Sequence, residues 1–401
     1  MYTAQPKQVL FHNAEAGEVL YGGAAGGGKA VTNKTLIVTP FGLRPVSSLK
    51  VGDTVTSGDG TPTKVIGVYP QGVREVFEIT FQDGAKIKVD GEHLWNYSIA
   101  RKGKWRKSGL EWKVGTTNQL IELIKTNKVL IPLTKPVKFT RSYRHDYRKI
   151  HPYVLGVLLG DGHLSNDIVS FTSVDEEIIE KVFENTNGKW SKSGISYNAI
   201  GSLRKELIHI LSKLNLYGCK SNSKFIPEQY KYWTVENRFE LLRGLMDTDG
   251  TVNDGKASFT SVSEKLVKDV QWLVRSLGGR ATITSRIPKN SKTGKTGQRA
   301  YRLYIRMPDN KDIFYLSRKK NIASKYKKTL KRAILSIKPA GKEECTCIRV
   351  DHPSSLFVAT HDFIVTHNTF AIIWDAVEFC LSYKNVRAAI FRRTFPELEK
   401  S

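Results

Sequence analysis

Gly23 to Lys29 reads G-x-x-x-x-G-K, the spacing with which a glycine-rich loop wraps phosphates in backbone N–H groups while a lysine meets their charge. The next position should offer a Ser or Thr hydroxyl to Mg2+, and it holds Ala30. The missing hydroxyl is Thr369, where helical apolar spacing begins at "TFAIIWDAVEF". Joining Lys29 to Thr369 completes strand, loop and helix. Gly23, Gly28, Lys29 and Thr369 thus read as one ATP–Mg2+ site, split by an insert of 339 residues from Ala30 to Asn368. A chain so interrupted should bind nucleotide poorly.

A second pair of chemically able residues lies within the insert. "VLGVLLGDG" (Val154–Gly162) and "LRGLMDTDG" (Leu242–Gly250) share helical apolar spacing and end in Asp-Gly, and "SFTSV" follows at Ser170 and at Ser258. All these matches keep one offset of 88 residues. Asp161 and Asp249 are therefore equivalent positions of a duplicated unit: helix, acidic end, strand hairpin, second helix. Ser173-x-x-Glu176 and Ser261-x-x-Glu264 read as capping boxes opening that second helix. Gly156 and Gly244 occupy the same place in each first helix.

Several domains must position these groups, because 401 residues exceed one ordinary domain. At 40% hydrophobic residues the chain can build real cores. It has no membrane-length apolar run and no basic-then-apolar leader, which points away from a membrane and toward the cytoplasm. Four cysteines in this length argue for a reducing compartment over a disulfide scaffold. A net charge of +25 points to a polyanionic partner, with nucleic acid first. Lys and Arg are densest from Arg286 to Arg332, interleaved with Tyr301, Tyr304, Tyr315 and Tyr326, as phosphate contacts require. The basic "ARKGKWRKSGLEW" (Ala100–Trp112) reads as a hairpin.

The joined flanks resemble the start of a phage terminase large subunit, and the insert resembles an intein. "LIVTPFGLRPVSSLKVGDTV" (Leu36–Val55) is similar to the opening strands of the Hint splicing fold, and "DGEHLW" to its T-x-x-H element, with His93 in place and Asp90 where Thr is usual. "CIRVDHPSSLFVAT" and "DFIVTHN" resemble the two C-terminal splicing elements, ending in His367 and Asn368 before Thr369. Ala30 cannot act as the usual first nucleophile. Trp95, Cys347 and Thr366 match the signature of class 3 inteins, which use an internal cysteine.

That resemblance implies a cofactor-free reaction. The Cys347 thiolate attacks the Lys29–Ala30 carbonyl, His93 protonates the leaving nitrogen, and Thr369 takes over the acyl group. Asn368 then cyclises with help from His367. Trp95 and Thr366 support the Cys347 site, or Trp95 is simply core. Ser355 stands where a helper His is usual, so His352 or His361 would substitute. Cys345 reads as incidental. The alternative is a class 1 intein blocked by replacement of its first Cys with Ala30.

The duplicated region resembles a LAGLIDADG homing endonuclease with both repeats in one chain. This implies closely packed helices at Gly156 and Gly244, with Asp161 and Asp249 side by side binding Mg2+ for phosphodiester hydrolysis. It also implies a β saddle in the DNA major groove, an assisting Lys224 in "KFIP", and a monomer. The partner would be double-stranded DNA at the intein-free gene; the alternative is a degenerate, inactive endonuclease.

The expected architecture is multi-domain. A mostly-β Hint domain (30–135 and 336–368) carries an inserted α+β endonuclease domain (151–335) after a linker (136–150). Fragments of an α/β P-loop ATPase (1–29 and 369–401) flank it. Those flanks total 62 residues, too few for a whole motor, so the chain is expected to end inside its host gene.

Overall fold

The computed structural model describes residues 30–100, 111–141, 149–289, 296–324 and 330–367. Gly23, Gly28, Lys29, Asn368 and Thr369 lie outside them, as does Tyr326. No described helix is long and apolar enough to cross a membrane.

The outer module is built from strands in both halves of the chain. β1 (Val31–Thr32), β2 (Leu36–Thr39), β3 (Gly42–Pro45), β4 (Thr54–Thr56), β5 (Pro62–Phe81), β6 (Lys86–Asp90), β7 (Leu94–Ala100), β8 (Lys113–Thr116) and β9 (Lys128–Pro132) come first, with α1 (Thr117–Thr126) before β9. β18 (Lys331–Val350), β19 (Leu356–Ala359) and β20 (Ile364–His367) return after the insert. One eight-stranded sheet runs β4-β5-β6-β1-β18-β9-β7-β8 with β5 also paired to β18, and a second runs β20-β19-β2-β3. The long β5 and β18 run antiparallel from Val65↔Val350 to Phe81↔Ile334, which carries Cys347 back to the start of the insert. Side chains alternate across the pleat, so one face of these strands fills a core of Val65, Ile79, Phe81, Val89, Trp95 and Ile348. Most of the Ala100–Trp112 stretch, residues 101–110, lies outside the described residues; β7 and β8 on either side of it pair antiparallel.

The central module shows the duplication directly. α2 (Pro152–Asp161) leads into β10 (Gly162–Ser165), β11 (Ile168–Thr172) and α3 (Glu176–Glu184), then β12 (Trp190–Ser193), β13 (Ser196–Ala199) and α4 (Gly201–Lys213). After a short α5 (Glu228–Lys231), α6 (Val235–Thr248) leads into β14 (Gly250–Asn253), β15 (Lys256–Ser261) and α7 (Glu264–Ser276), then β16 (Arg280–Arg286), β17 (Ala300–Arg306) and α8 (Ser317–Ile322). Each half folds its strands into a four-stranded antiparallel sheet, β10-β11-β13-β12 and β14-β15-β17-β16. α2 is apolar all round because it is buried all round, and Leu155, Val157, Leu241 and Leu245 belong to one core shared by both halves.

Gly156 and Gly244 are where α2 and α6 touch. A Cβ on Gly244 would sit 2.2 Å from Tyr153 O, and one on Gly156 would sit 2.4 Å from Leu241 O, so only glycine allows this approach.

Three local expectations need correcting. α3 is capped by Asp175 without a side-chain bond, and α7 by Ser263, whose hydroxyl accepts from Leu266 N. Ser173 instead accepts from Asp175 N at 3.1 Å, and Ser261 from Ser263 N at 3.2 Å; each makes the turn before its helix. The return to the outer module begins at Lys331, paired with Pro132, and not at 336. In the linker, Val137 and Phe139 are buried with Val38, Trp272, Val358 and Phe363 from both modules.

A buried charge network crosses the same junction. Arg332 Nε lies 2.8 Å from Asp83 Oδ2, and Arg275 Nη2 bonds Asp83 O at 2.5 Å. Arg275 also pairs with Asp362 in the β19–β20 turn. Burial pushes the Asp83 carboxyl up, but the guanidinium charges of Arg332 and Arg275 together hold it below its ordinary value.

Candidate functional sites

The first residue of the insert is held in the middle of a sheet. β1 pairs with β18 (Val31↔Thr346, Thr32↔Cys345) and with β6 (Val31↔Val89). Continuing that register sets Ala30 opposite Cys347. Ala30, Val76, Cys345 and Cys347 form one buried cluster with Tyr69 and Ala340 against it. Ala30 is fully buried and Cys347 is 3% exposed. A residue with no reactive group is thus packed against a thiol 317 positions away in sequence. Burial, with Asp90 and Glu343 nearby, pushes the Cys345 thiol up to about 12 and keeps it neutral. Asp90 N–H donates to Ala30 O at 3.1 Å.

His93, Trp95 and Thr366 form a second group, itself buried. His93 Nε2 shares a short hydrogen bond with Thr366 Oγ1, so Thr366 acts directly on the histidine. The Trp95 ring meets the His93 ring edge-on at 5.2 Å, and its Nε1 donates to Thr117 Oγ1 at 3.1 Å. Trp95 is at once a core residue and the wall that fixes the His93 ring.

The expected substitutes for a helper histidine do not both fit. Leu356 pairs with His367 at the open end of the β19–β20 hairpin, and Ala359 with Ile364 at its turn. His361 lies exposed in that turn, a strand's length from His367. His352 sits toward the open end, yet its ring holds Ser354 at 2.8 Å and Asp59 at 3.7 Å. Ser355 is buried at φ 52, a backbone position that constrains the turn into β19.

In the central module Asp161 closes α2 and Asp249 caps α6. Burial raises the Asp249 carboxyl to about 6, and the Asp161 charge beside it adds to the rise. Asp161 is raised by burial as well, against Lys224 and Lys319. No hydrogen bond occupies either carboxylate among the described residues. Two adjacent, mutually repelling oxygen donors suit a hard divalent cation, and Mg2+ is commonly held by one or two carboxylates plus substrate phosphates. Among the described residues no third His, Cys, Asp or Glu joins them.

Lys224 lies where the sequence places it, its Nζ donating to Leu158, Gly160 and Gly162 carbonyls at 3.0, 3.0 and 2.8 Å. The sequence reading missed its counterpart. Lys319 donates to Met246, Asp247 and Thr248 carbonyls at the end of α6, the same arrangement in the other half. Burial lowers both ammonium groups to about 8. The equivalence of the two lysines could have been sought, but their offset is 95 and not 88.

Part of the basic stretch turns inward. Lys319 is buried, Arg318 pairs with Asp175 at 2.9 Å, Arg332 belongs to the module junction, and Tyr315 bonds Glu240. Tyr304 remains exposed on β17. Asp247 is not a metal candidate, for it accepts from Tyr153 Oη and from the Tyr315 and Leu316 amides.

Comparison with known proteins matches residues 236–332 to the LAGLIDADG-like domain model. Replicative DNA helicase DnaB of Mycobacterium intracellulare is 27% identical over 395 residues, covering 93% of this chain and 64% of that protein. Ribonucleoside-diphosphate reductase NrdEB subunit alpha of Bacillus subtilis is 23% identical over 328 residues, covering 70% of this chain and 28% of that protein. The chain spans less than two thirds of the length of these relatives. A crystal structure of the MchDnaB-1 intein aligns with 85% of this chain and all of its own, at 11% identity and a TM-score of 0.28. The matched residues 236–332 carry Asp249, Lys319 and all of α6 after Val235.

Proposed function

We propose that this chain is a self-splicing precursor: residues 30–368 excise themselves, join Lys29 to Thr369, and carry a DNA-cutting module. The observation that carries the reading is the packing of Ala30 against Cys347 in one buried cluster between β1 and β18. A helicase and a reductase share no named activity, which supports reading much of what each shares with this chain as insert, although the helicase match, at 93% of the chain, also reaches into the flanks.

In the proposed order Cys347 Sγ attacks the Lys29 carbonyl and releases the Ala30 amine, leaving the N-terminal flank as a thioester. The Thr369 hydroxyl takes the acyl group as an ester. Asn368 then cyclises beside His367, cutting its own peptide bond, and an O-to-N shift completes the Lys29–Thr369 amide. The Thr366–His93 contact ties the two ends of the insert together during these steps.

The central module would cleave double-stranded DNA at an intein-free Gly-Lys-Thr site. Asp161 and Asp249 would hold Mg2+ and so neutralise phosphate charge, Lys224 and Lys319 would hold the helix ends that carry them, and the two sheets of one chain would span the groove. The flanks, read by their own motif, are pieces of a P-loop ATPase of the terminase type, active with ATP and Mg2+ only after joining. A prokaryotic cytoplasm suits all of this chemistry.

Mass analysis of freshly expressed protein tests the splicing reading. A 339-residue insert and a joined 62-residue product are expected, and Cys347→Ala should leave the chain whole. If Ala30→Cys restores splicing in a Cys347→Ala chain, Ala30 is a block in a class 1 intein and the Cys347 route is wrong.

A further inference from the structure

Asp90 is a buried ionisable group, and burial outweighs the Ala30 backbone, Arg74 and the His93 backbone, which favour its charged form. It is 3% exposed, and neither carboxyl oxygen has a hydrogen-bond partner among the described residues. An ionised carboxylate in such a place carries a large desolvation cost, so the group goes neutral instead. Burial indeed raises it to about 7. Its main chain, by contrast, is fully engaged, donating to Ala30 O and accepting from His93 N at 3.3 Å.

The placement of that carboxyl is set by strand geometry. In an antiparallel ladder, the N–H and C=O of a hydrogen-bonded residue leave on the same edge, toward the same partner. Ala30 O is received by Asp90, so Ala30 N, the scissile nitrogen, is presented to Asp90 as well. The side chain of Asp90 shares a face with its cross-strand partner Val76, and Val76 belongs to the cluster of Ala30, Cys345 and Cys347. The Asp90 charge is also near enough to act on the Cys345 thiol of that cluster. His93, the other candidate acid, has Nε2 on Thr366 of β20.

We propose that Asp90 is the acid that protonates the Ala30 nitrogen as Cys347 cleaves the Lys29–Ala30 bond, an inference that rests on the splicing reading above. The Cys347 thiolate, its proton already lost to solvent, adds to the Lys29 carbonyl carbon. The C–S bond forms, the C–N bond breaks, and the Asp90 proton passes to nitrogen. The products are a thioester, a neutral Ala30 amine and an Asp90 carboxylate that regains its proton from water. One negative charge moves from sulfur to carboxylate, and none is created.

The surroundings suit this exchange. Arg74 of β5 favours the carboxylate and Glu92 opposes it. Lys88 and Glu343 neutralise one another at 2.5 Å, and Cys345 stays a neutral thiol. A threonine here could offer a hydrogen bond but no proton at neutral pH, so the departure from T-x-x-H changes the chemistry available.

The test uses the full chain with Asn368→Ala and Thr369→Ala, so that only the first step is read, as release of the N-terminal flank to saturating hydroxylamine. With Asp90 present, the rate should rise with thiolate and then level off above about pH 7. Asp90→Asn and Asp90→Thr should each be slower by about 10²-fold or more at pH 7. Both should keep rising about tenfold per pH unit past that point, at an unchanged thermal transition. Equal rates and equal profiles would overturn the assignment while leaving splicing standing. So would a slow variant that keeps the break near pH 7, or full rescue by Thr. No release from the parent at any pH would instead remove the splicing reading, and this inference with it.

Discussion

Replacing Gly156 with alanine should disable DNA cleavage and spare splicing. A Cβ at Gly156 would lie 2.4 Å from Leu241 O, 2.9 Å from Gly244 Cα and 2.9 Å from Leu245 N, all main-chain atoms of α6. No side-chain rotation relieves such contacts. Carbon atoms settle at about 3.5–4.0 Å, so α2 and α6 must part by roughly 0.5–1 Å. Overpacking of this kind costs about 1–3 kcal/mol, and a folded domain holds roughly 5–15 kcal/mol in total. The module should therefore stay folded, with a lower Tm. The same displacement separates Asp161 from Asp249, because each sits at the end of one of the two helices. A misplacement of about 1 Å costs on the order of 10²-fold in rate. The assay is Mg2+-dependent linearisation of a plasmid carrying the joined Gly-Lys-Thr site, with splicing of the same preparation followed by mass. Cleavage at the parent rate with an unmoved Tm would refute the helix contact. Loss of splicing at an unmoved Tm would refute the separation of the two sites.

Cleavage should also fall as pH drops through about 6, because the Asp249 carboxyl protonates there and no longer binds the cation. Asp249→Asn or Asp161→Asn should abolish cutting outright, and a rate flat from about pH 5 to 7.5 would speak against the metal pair. Asp83→Asn should lower Tm and slow splicing together, since removing one partner from a buried charge network costs about 3–5 kcal/mol. Asp83 is held below its ordinary 3.8, so its contribution is complete above that pH and is lost as pH falls through the lowered folded value. A pH titration of thermal unfolding that shows no extra acid loss in the parent relative to Asp83→Asn would contradict this.

The sequence showed the duplication because its signals are local. Gly156, Gly244, Asp161 and Asp249 keep one offset of 88, and each acts where its helix puts it. β2, β3 and most of β4 fall within Leu36–Val55, the stretch that resembles the opening strands of the Hint fold, and were legible by that resemblance rather than by alternation. Lys319 was not legible, because its role depends on reaching the carbonyls at the end of α6 from 71 or more residues away. Nor was Asp247 distinguishable from Asp249 by type; only the Tyr153 hydroxyl and two amides mark it as structural. The capping boxes misled for a different reason. Ser173 and Ser261 have the right spacing to Glu, yet each folds the turn before the helix, a competing use of a short hydroxyl side chain.

The module junction was also invisible in the sequence, and it bears on what the two functions owe each other. Arg275 and Trp272 sit on α7, the helix that backs the second sheet of the central module. They grip the turn of the β19–β20 hairpin, Arg275 through Asp362 and Trp272 through Phe363, whose rings meet at 5.0 Å. The other end of that hairpin carries Thr366 and His367. Val38, Val358 and Phe363 of the outer module are covered by Val137, Phe139 and Trp272. Removing the central module would expose that apolar face and leave Asp83 with Arg332 alone, without Arg275. The two active sites therefore bear differently on the chain's survival. Asp161 and Asp249 make no hydrogen bond to the outer module among the described residues, so under the proposed function cutting could be lost by a single change in either while splicing stands. Arg275, Trp272 and the core behind them support the splicing hairpin whether or not DNA is ever cut. The central module thus has a mechanical role in holding the outer module that does not depend on Asp161 or Asp249.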